Sequence, residues 1–231
     1  CEKPLGLSAD EVRVMAEASR RSGRVVVEAT WSRWHPRTQR AQALLATGAI
    51  GEARTIHSGF CFRGVPADNY RLDPAMGGGA LYDLGPYAVG AALWAVPNAT
   101  PAVVDVTVDR HASGVDLTTS ATLQLSGASA HVRASVDDDA GQWWRVEGTH
   151  GALELSNPAH TSWLTPSTLT VESGGETRVE HVGPVDAYQR MVEHVSRAIR
   201  GDASAFVLPL TESLRVAAAL DAIRAHGEVS L

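Results

Sequence analysis

The sequence predicts an α/β (α+β) protein in which a large open sheet is flanked by helices on one face. Three observations predict this fold class. The chain opens with a capped helix and a β-branched apolar run, it changes to strand-like alternation after Ala53, and it closes with two helical segments. With 231 residues, 44% of them hydrophobic, the chain can bury one large core with a smaller appendage.

The start of the chain is predicted to be the end of a parallel α/β unit. Ser8 and Glu11 form a capping box at the start of a helix that Gly23 stops. The three valines at 25–27 predict a strand buried on both faces. No further βα repeat follows, and the chain begins with cysteine rather than methionine. We therefore expect a longer product that completes this sheet upstream.

A tryptophan-rich crossover, Trp31-Ser32-Arg33-Trp34-His35-Pro36, leads into a predicted helix at 37–47 that a glycine ends. Arg33 and His35, set among aromatic rings, either line a substrate pocket or pack a domain junction. A strand at 55–62 follows, and then a loop rich in proline, aspartate, asparagine and glycine.

Alternation of apolar and polar residues predicts the remaining sheet. It is clearest at 130–136, so one face is buried there and the other is polar or covered by a partner. The remaining helices are too few to cover both faces, which predicts a homodimer, or a higher homo-oligomer, through the outer face. Further strands are predicted at 103–108, 118–125, 143–147, 152–155, 169–171 and 178–180, and helices at 187–200 and 211–226.

Composition and charge disfavour several kinds of partner. A net charge of −6 without any basic block argues against nucleic acid or an anionic membrane surface. No apolar run approaches the roughly 18 residues of a membrane span, and no signal peptide is seen. The histidines are scattered singly, so we expect no metal site. Two cysteines that form no CxxC pair fit a cytoplasmic protein.

The chemistry is predicted at the segment that follows the triple glycine 77–79. There a helix begins, and Asp83 and Tyr87 are an i, i+4 pair that projects from one face toward a single substrate oxygen. The alternative is a solvated aspartate and a packed tyrosine ring. Lys3 is the one lysine among 20 basic residues, which indicates a position that needs a compact ammonium.

Glu2-Lys3-Pro4 together with Gly78-Gly79-Ala80-Leu81-Tyr82-Asp83-Leu84-Gly85-Pro86-Tyr87 resembles the motifs of the glucose-fructose oxidoreductase, inositol dehydrogenase and rhizopine-catabolism (Gfo/Idh/MocA) family. Gly48-Ala49-Ile50-Gly51 looks like that family's linker into its C-terminal sheet, and Val146-Glu147-Gly148-Thr149-His150-Gly151-Ala152-Leu153 is similar to its late strand-turn-strand. Tyrosine at 87, where many members have histidine, is typical of the dihydrodiol dehydrogenase-like branch.

The resemblance implies a mostly antiparallel sheet in a C-terminal substrate-binding and oligomerisation domain at 31–231. Residues 1–30 would be the tail of a Rossmann-type dinucleotide-binding domain. It also implies hydride transfer between NADP or NAD and a sugar, polyol or ketone. The family's G-x-G-x-x-G fingerprint is absent from this sequence. The cofactor would therefore be held mainly by a segment absent from this chain, with Glu2, Lys3 and Pro4 at its nicotinamide end.

In the mechanism that this resemblance implies, Tyr87 is the acid/base. An ordinary phenol, with a pKa near 10, is a weak base at neutral pH, so the Lys3 ammonium is expected to favour the phenolate. Asp83 would position the substrate hydroxyl or the lysine, and Arg33 and His35 would contact substrate. Two alternatives stay open: a cofactor-free binding or oligomerisation module, and non-redox lyase or hydrolase chemistry in the same pocket.

Overall fold

The computed structural model describes residues 1–229 of the chain. Most predicted elements are confirmed, with bounds that differ by a few residues. The helices are α1 (Ala9–Ser22), α2 (Pro36–Ala46), α3 (Ala80–Ala95), α4 (Ala187–Ile199) and α5 (Leu210–Val229). The strands are β1 (Ala53–Cys61), β2 (Pro101–Arg110), β3 (Asp116–Leu125), β4 (Ala128–Ser135), β5 (Gln142–Gly148), β6 (Gly151–Leu155), β7 (Ser167–Ser173) and β8 (Glu176–Val182).

Within residues 1–229 the eight strands form one open sheet in the order β2-β3-β4-β1-β5-β6-β7-β8. β1 pairs with β4 in parallel, and every other pairing among these strands is antiparallel. A parallel pair needs a long crossover. Here that crossover runs through α3, β2 and β3, so α3 is carried across the sheet next to its central strand. The predicted mostly antiparallel open sheet is confirmed.

One face of the sheet is covered by helices. Ile56, Leu123, Trp144 and Leu153 point into a core that they share with side chains of α2, α3 and α5. The alternate residues of the same strands form the opposite, outer face, which carries polar side chains and the indole of Trp143. The prediction of helices on one face only is therefore confirmed.

α3 is buried almost all round, because the sheet lies against one side of it and α5 against another. Fourteen of its 16 residues are buried, more than the single apolar stripe that the sequence predicts. Gly85 permits the close approach of α5, since a Cβ there would meet Leu220 Cδ2 at 2.7 Å. At the helix start, Gly79 has a φ of 110°, and Asp116 Oδ2 accepts from the Leu81 amide at 2.8 Å.

The N-terminal segment agrees with the prediction in part. Ser8 Oγ caps α1 by accepting from the Glu11 amide at 3.2 Å, but the Glu11 carboxylate accepts from Leu7 rather than from Ser8. The predicted strand at 25–27 is not present. In the described chain, the segment at 27–29 lies beside Cys1 and shares two backbone hydrogen bonds with it. Two bonds are too few for a strand ladder. In residues 1–229, no helix has the length and apolar character needed to cross a membrane.

Candidate active site

Lys3 and Asp83 meet although they lie 80 residues apart. The first residues run beside 27–29, and the Leu5 amide donates to Glu28 Oε1 at 3.1 Å, which fixes the segment that carries Lys3. The Lys3 ammonium donates to Asp83 Oδ1 and to the Asp83 main-chain carbonyl, both at 2.6 Å. Among the contacts of residues 1–229, its third hydrogen is left for a ligand.

Arg71 completes the environment of the Asp83 carboxylate. Its Nε donates to Asp83 Oδ2 at 2.6 Å, so each carboxylate oxygen faces a different cation. Burial alone would raise the pKa of Asp83, but the charge of Lys3 and the hydrogen bonds from Arg71 and Lys3 outweigh it and hold that pKa below its usual value. Asp83 is therefore ionised at neutral pH and has two partners.

Tyr87 lies one turn further along α3 and is 6% exposed. The Lys3 ammonium is 5.2 Å from the centroid of its ring, and the Phe60 ring is 5.5 Å away. Burial raises the pKa of Tyr87 well above its usual value and Tyr188 adds to this, while the indole of Trp31 opposes it. The expected phenolate is therefore not what the structure shows. Lys3 is engaged by Asp83, and desolvation keeps the phenol protonated.

A cleft of about 410 Å³ opens beside these residues. It is lined by Glu2, Lys3, Pro4, Tyr70, Arg71 and Asp83, whereas Tyr87 lines a separate pocket together with Arg33 and His160. A nicotinamide is a flat, polar ring that needs an open, partly polar cleft, and the Lys3 ammonium at this cleft would face a substrate oxygen placed beside such a ring. The residues present fit the nicotinamide end of a cofactor.

Arg33 and His35, the other predicted substrate residues, are placed differently. Arg33 is 7% exposed and pairs with Glu212 of α5. His35 is buried at the start of α2, where its Nδ1 accepts from the Arg37 amide at 3.2 Å. Burial, together with the charges of Arg37 and Arg190, lowers the pKa of His35 to about 4. The structure places Arg33 in the lining of the pocket that Tyr87 also lines, whereas His35 caps α2 and lines neither pocket.

Arg71 and Tyr188 are missed by sequence reasoning, and Trp31 is anticipated only as one of the aromatic residues beside Arg33 and His35. Arg71 lies in an irregular loop without periodicity, and its spacing of 12 residues from Asp83 was the one available signal. Trp31 stacks on Tyr188 of α4 with ring centroids 4.9 Å apart, and together they form an aromatic wall near Tyr87. No periodic pattern links residues 31 and 188, so this wall could not be read from the chain.

No group of three or more histidine, cysteine, aspartate or glutamate side chains that could hold a metal ion occurs in the part of the chain that the structure describes. The Asp83 carboxylate, which is the acidic group of the site, is instead paired with Lys3 and Arg71.

Comparisons with known proteins agree with this fold. The model of the GFO/IDH/MocA C-terminal domain matches residues 38–154. D-xylose 1-dehydrogenase (NADP(+)) 2 of Haloferax volcanii is 36% identical over 232 residues, covering 99% of this chain and 70% of that protein. Trans-1,2-dihydrobenzene-1,2-diol dehydrogenase of Macaca fascicularis is 31% identical over 237 residues, covering 97% and 68%.

A solved structure shows the same fold. The aldose-aldose oxidoreductase from Caulobacter crescentus, complexed with glycerol, superposes with a TM-score of 0.89 at 23% identity, over 100% of this chain and 70% of that one. The matched domain model and the two sequence relatives show the family as well as the fold. This chain belongs to the Gfo/Idh/MocA family of oxidoreductases.

Proposed function

We propose that the protein containing this chain is an NAD(P)-dependent oxidoreductase that moves a hydride between a nicotinamide cofactor and a sugar, polyol or ketone. The observation that carries the proposal is the meeting of Lys3, Asp83 and Tyr87, with the ammonium 2.6 Å from the carboxylate and 5.2 Å from the centroid of the phenol ring. The names of the sequence relatives, an NADP(+)-linked sugar dehydrogenase and a diol dehydrogenase, support the same chemistry.

Tyr87 is the proton donor in this mechanism. Reduction of a carbonyl places negative charge on its oxygen, and a phenol that is protonated at neutral pH can donate to it. The raised pKa of Tyr87 suits this direction, because a buried phenol holds its proton until a stronger base forms beside it. Lys3 offers its spare hydrogen to the same oxygen, and Asp83 holds the ammonium in place.

The cofactor part of the proposal rests on the cleft. Glu2, Lys3 and Pro4 would hold the nicotinamide end, and NADP is favoured over NAD by the name of the xylose dehydrogenase relative. When bound, the nicotinamide supplies or accepts the hydride. Residues 1–30 would be the end of the dinucleotide-binding domain and 31–231 the domain that binds substrate.

Non-redox chemistry is less well supported by this geometry. A lyase or hydrolase would need Asp83 or Tyr87 as a base, but both oxygens of Asp83 accept hydrogen bonds from cations and Tyr87 holds its proton. A cofactor-free binding module is less well supported because the sequence relatives are named as dehydrogenases.

A homodimer through the outer face of the sheet belongs to the same proposal. Helices cover the other face, whereas the outer face carries Trp143 and a stacked pair, His57 and His131, with ring centroids 5.2 Å apart. Large rings on an uncovered sheet are typical of an interface. The cytoplasmic location expected from the sequence is also part of the proposal, supported by the free thiols of Cys1 and Cys61.

The direct test is hydride transfer by the natural protein. NADPH deuterated at both C4 positions is incubated with a panel of aldoses, ketoses and diketones, and the product is examined by mass spectrometry for one carbon-bound deuterium. Tyr87→Phe should lower kcat by roughly 10²-fold or more. Transfer without any effect of Tyr87→Phe would remove the phenol from the mechanism, and no transfer to any substrate would count against the proposed activity.

A further inference from the structure

The carboxylate of Asp83 is shared between two cations, and this leaves the cluster with an excess of positive charge. Lys3 Nζ donates to Asp83 Oδ1 and Arg71 Nε donates to Asp83 Oδ2, both at 2.6 Å. The Asp83 side chain is 9% exposed and that of Lys3 is 13% exposed, so water screens these charges little. With one anion and two cations, the group carries a net charge of +1.

Arg71 is held in position by contacts that do not involve any ligand. Its amide donates to Asn69 Oδ1 at 3.0 Å, and its carbonyl accepts from the Gly79 amide at 2.8 Å, directly before α3. The guanidinium lies 4.7 Å from the ring centroid of Tyr70 and 5.6 Å from that of Phe62. The geometry at Asp83 is therefore set before a substrate arrives.

We propose that Arg71 is a positioning residue of the oxidoreductase site, which fixes the Asp83 carboxylate so that Lys3 presents one orientation to the substrate oxygen and keeps a net positive charge beside it. This inference rests on the proposed function. It assigns to Arg71 no contact with the reacting atoms.

Two physical effects support this role. A carboxylate with one free oxygen can rotate about its Cβ–Cγ bond and let a lysine exchange between its two oxygens, whereas a carboxylate held at both oxygens cannot. The ammonium then has one direction for its spare hydrogen. In addition, the Asp83 carboxylate alone would cancel the charge of Lys3. The Arg71 guanidinium adds a second positive charge, so the three side chains together stay positive where the substrate oxygen becomes negative.

The test compares variants of the natural protein that contains this chain, with separate measurement of kcat and KM. Arg71→Gln should lower kcat by roughly 100-fold, the effect of a displacement of about 1 Å in a catalytic group, and should change KM by less than about threefold. Arg71→Lys, which keeps the charge, should recover part of the loss. Arg63→Gln is the matched control, because Arg63 follows β1 closely and pairs with Asp137 and Asp139 instead.

A double-mutant cycle decides whether Arg71 acts through Asp83. In an Asp83→Asn background, Arg71→Gln should cost almost nothing further. A full additional loss, or a rise in KM with kcat unchanged, would overturn the inference, because Arg71 would then contact substrate or cofactor itself.

A measurement without turnover separates this inference from the proposed function. Carbon-13 NMR of the Asp83 carboxyl should show its titration moving to higher pH in Arg71→Gln, and an unchanged titration would overturn the inference. If the wild-type protein transfers no hydride, the proposed function fails whatever the NMR result.

If Arg71→Gln does not fold, Arg71→Lys takes its place in both measurements. If the kcat of Arg71→Lys then equals that of wild type and the titration of Asp83 does not move, the result would count against the inference.

Discussion

Asp83→Asn should destabilise the fold at neutral pH by more than any surface change of the same type. The substitution keeps the shape of the side chain but removes its charge, so Lys3 and Arg71 face each other with no anion between them. Their side chains are 13% and 25% exposed, and the one amide oxygen of asparagine can accept from only one of them while its NH2 group faces the other cation.

The magnitude follows from the burial of the group. Breaking a buried ion pair by removing one partner costs about 3–5 kcal/mol. Because Arg71 is a quarter exposed, part of its charge is screened and the lower end, about 3 kcal/mol, is expected. For a chain of this length, a loss of about 3 kcal/mol in the free energy of unfolding corresponds to a fall in Tm of roughly 6–12 °C.

The effect should depend on pH with a definite sign. The folded-state pKa of Asp83 is below the reference value of 3.8, so its contribution is fully present above about pH 4. It is lost as the pH falls through the folded pKa, because the wild-type carboxylate then also becomes neutral. The difference between wild type and Asp83→Asn should be largest from pH 5 to 8 and should narrow toward pH 3.

Urea unfolding followed by tryptophan fluorescence measures this difference at each pH. Asp137→Asn is the control, since Asp137 is 59% exposed and pairs with Arg63 at 3.6 Å, and it should change the free energy of unfolding by less than about 0.5 kcal/mol. An Asp83→Asn protein as stable as this control, or a difference of the same size at pH 3 and pH 7, would refute the electrostatic account.

Three further predictions follow from named contacts. Lys3→Arg should keep the fold but lower kcat/KM sharply, because no guanidinium nitrogen has three hydrogens with which to bond both Asp83 oxygen acceptors and the substrate oxygen; near wild-type turnover would remove Lys3 from the mechanism. Gly59→Ala should push the indole of Trp143 off the sheet, since the new Cβ would lie 2.0 Å from Cζ2. Sedimentation should then show at least a roughly tenfold weaker dimer with unchanged circular dichroism, and an unweakened dimer would mean that the outer face is not the interface. Trp144→Phe loses the bond from Nε1 to the Ala91 carbonyl (3.1 Å) and leaves a small void, so urea unfolding should report a loss of roughly 2–3 kcal/mol. A loss below about 0.5 kcal/mol would show that the core repacks around the smaller ring.

The sheet could be predicted from the sequence because its strands alternate strictly. At 130–136 every second residue is small or apolar, and the structure buries Ala130, Val132 and Ala134 on the helix side. The start of α1 could be predicted for a different reason, since a serine cap is a local signal that needs no distant partner. The valines at 25–27 carry an equally strong local signal, but a strand needs a neighbour and the described chain offers only Cys1.

The candidate site could be predicted only in part. Asp83 and Tyr87 share a helix, so their spacing is visible in the chain, and Lys3 was singled out by its rarity. The contact that joins Lys3 to Asp83 spans 80 residues and depends on the fold. Arg71 lies in a loop without periodicity. The raised pKa of Tyr87 depends on how deeply the folded chain desolvates the ring, which no spacing records.

α3 is enclosed by the sheet and α5, so its backbone should open to solvent far less often than that of a lightly packed helix. Backbone amides in a segment this deeply covered exchange with solvent deuterium only when the whole domain opens, whereas lightly packed elements exchange through small local openings. α4 is lightly packed, since Ala187 is its one buried residue between Ala187 and Ile199, and it carries Tyr188 of the aromatic wall. Asp83 and Tyr87 should therefore lie in the slowest-exchanging part of the described chain, while Tyr188, on α4, should belong to a part that opens and closes many times for each global unfolding event. Passage of a ligand past Tyr188 can then occur without disturbing the atoms that react.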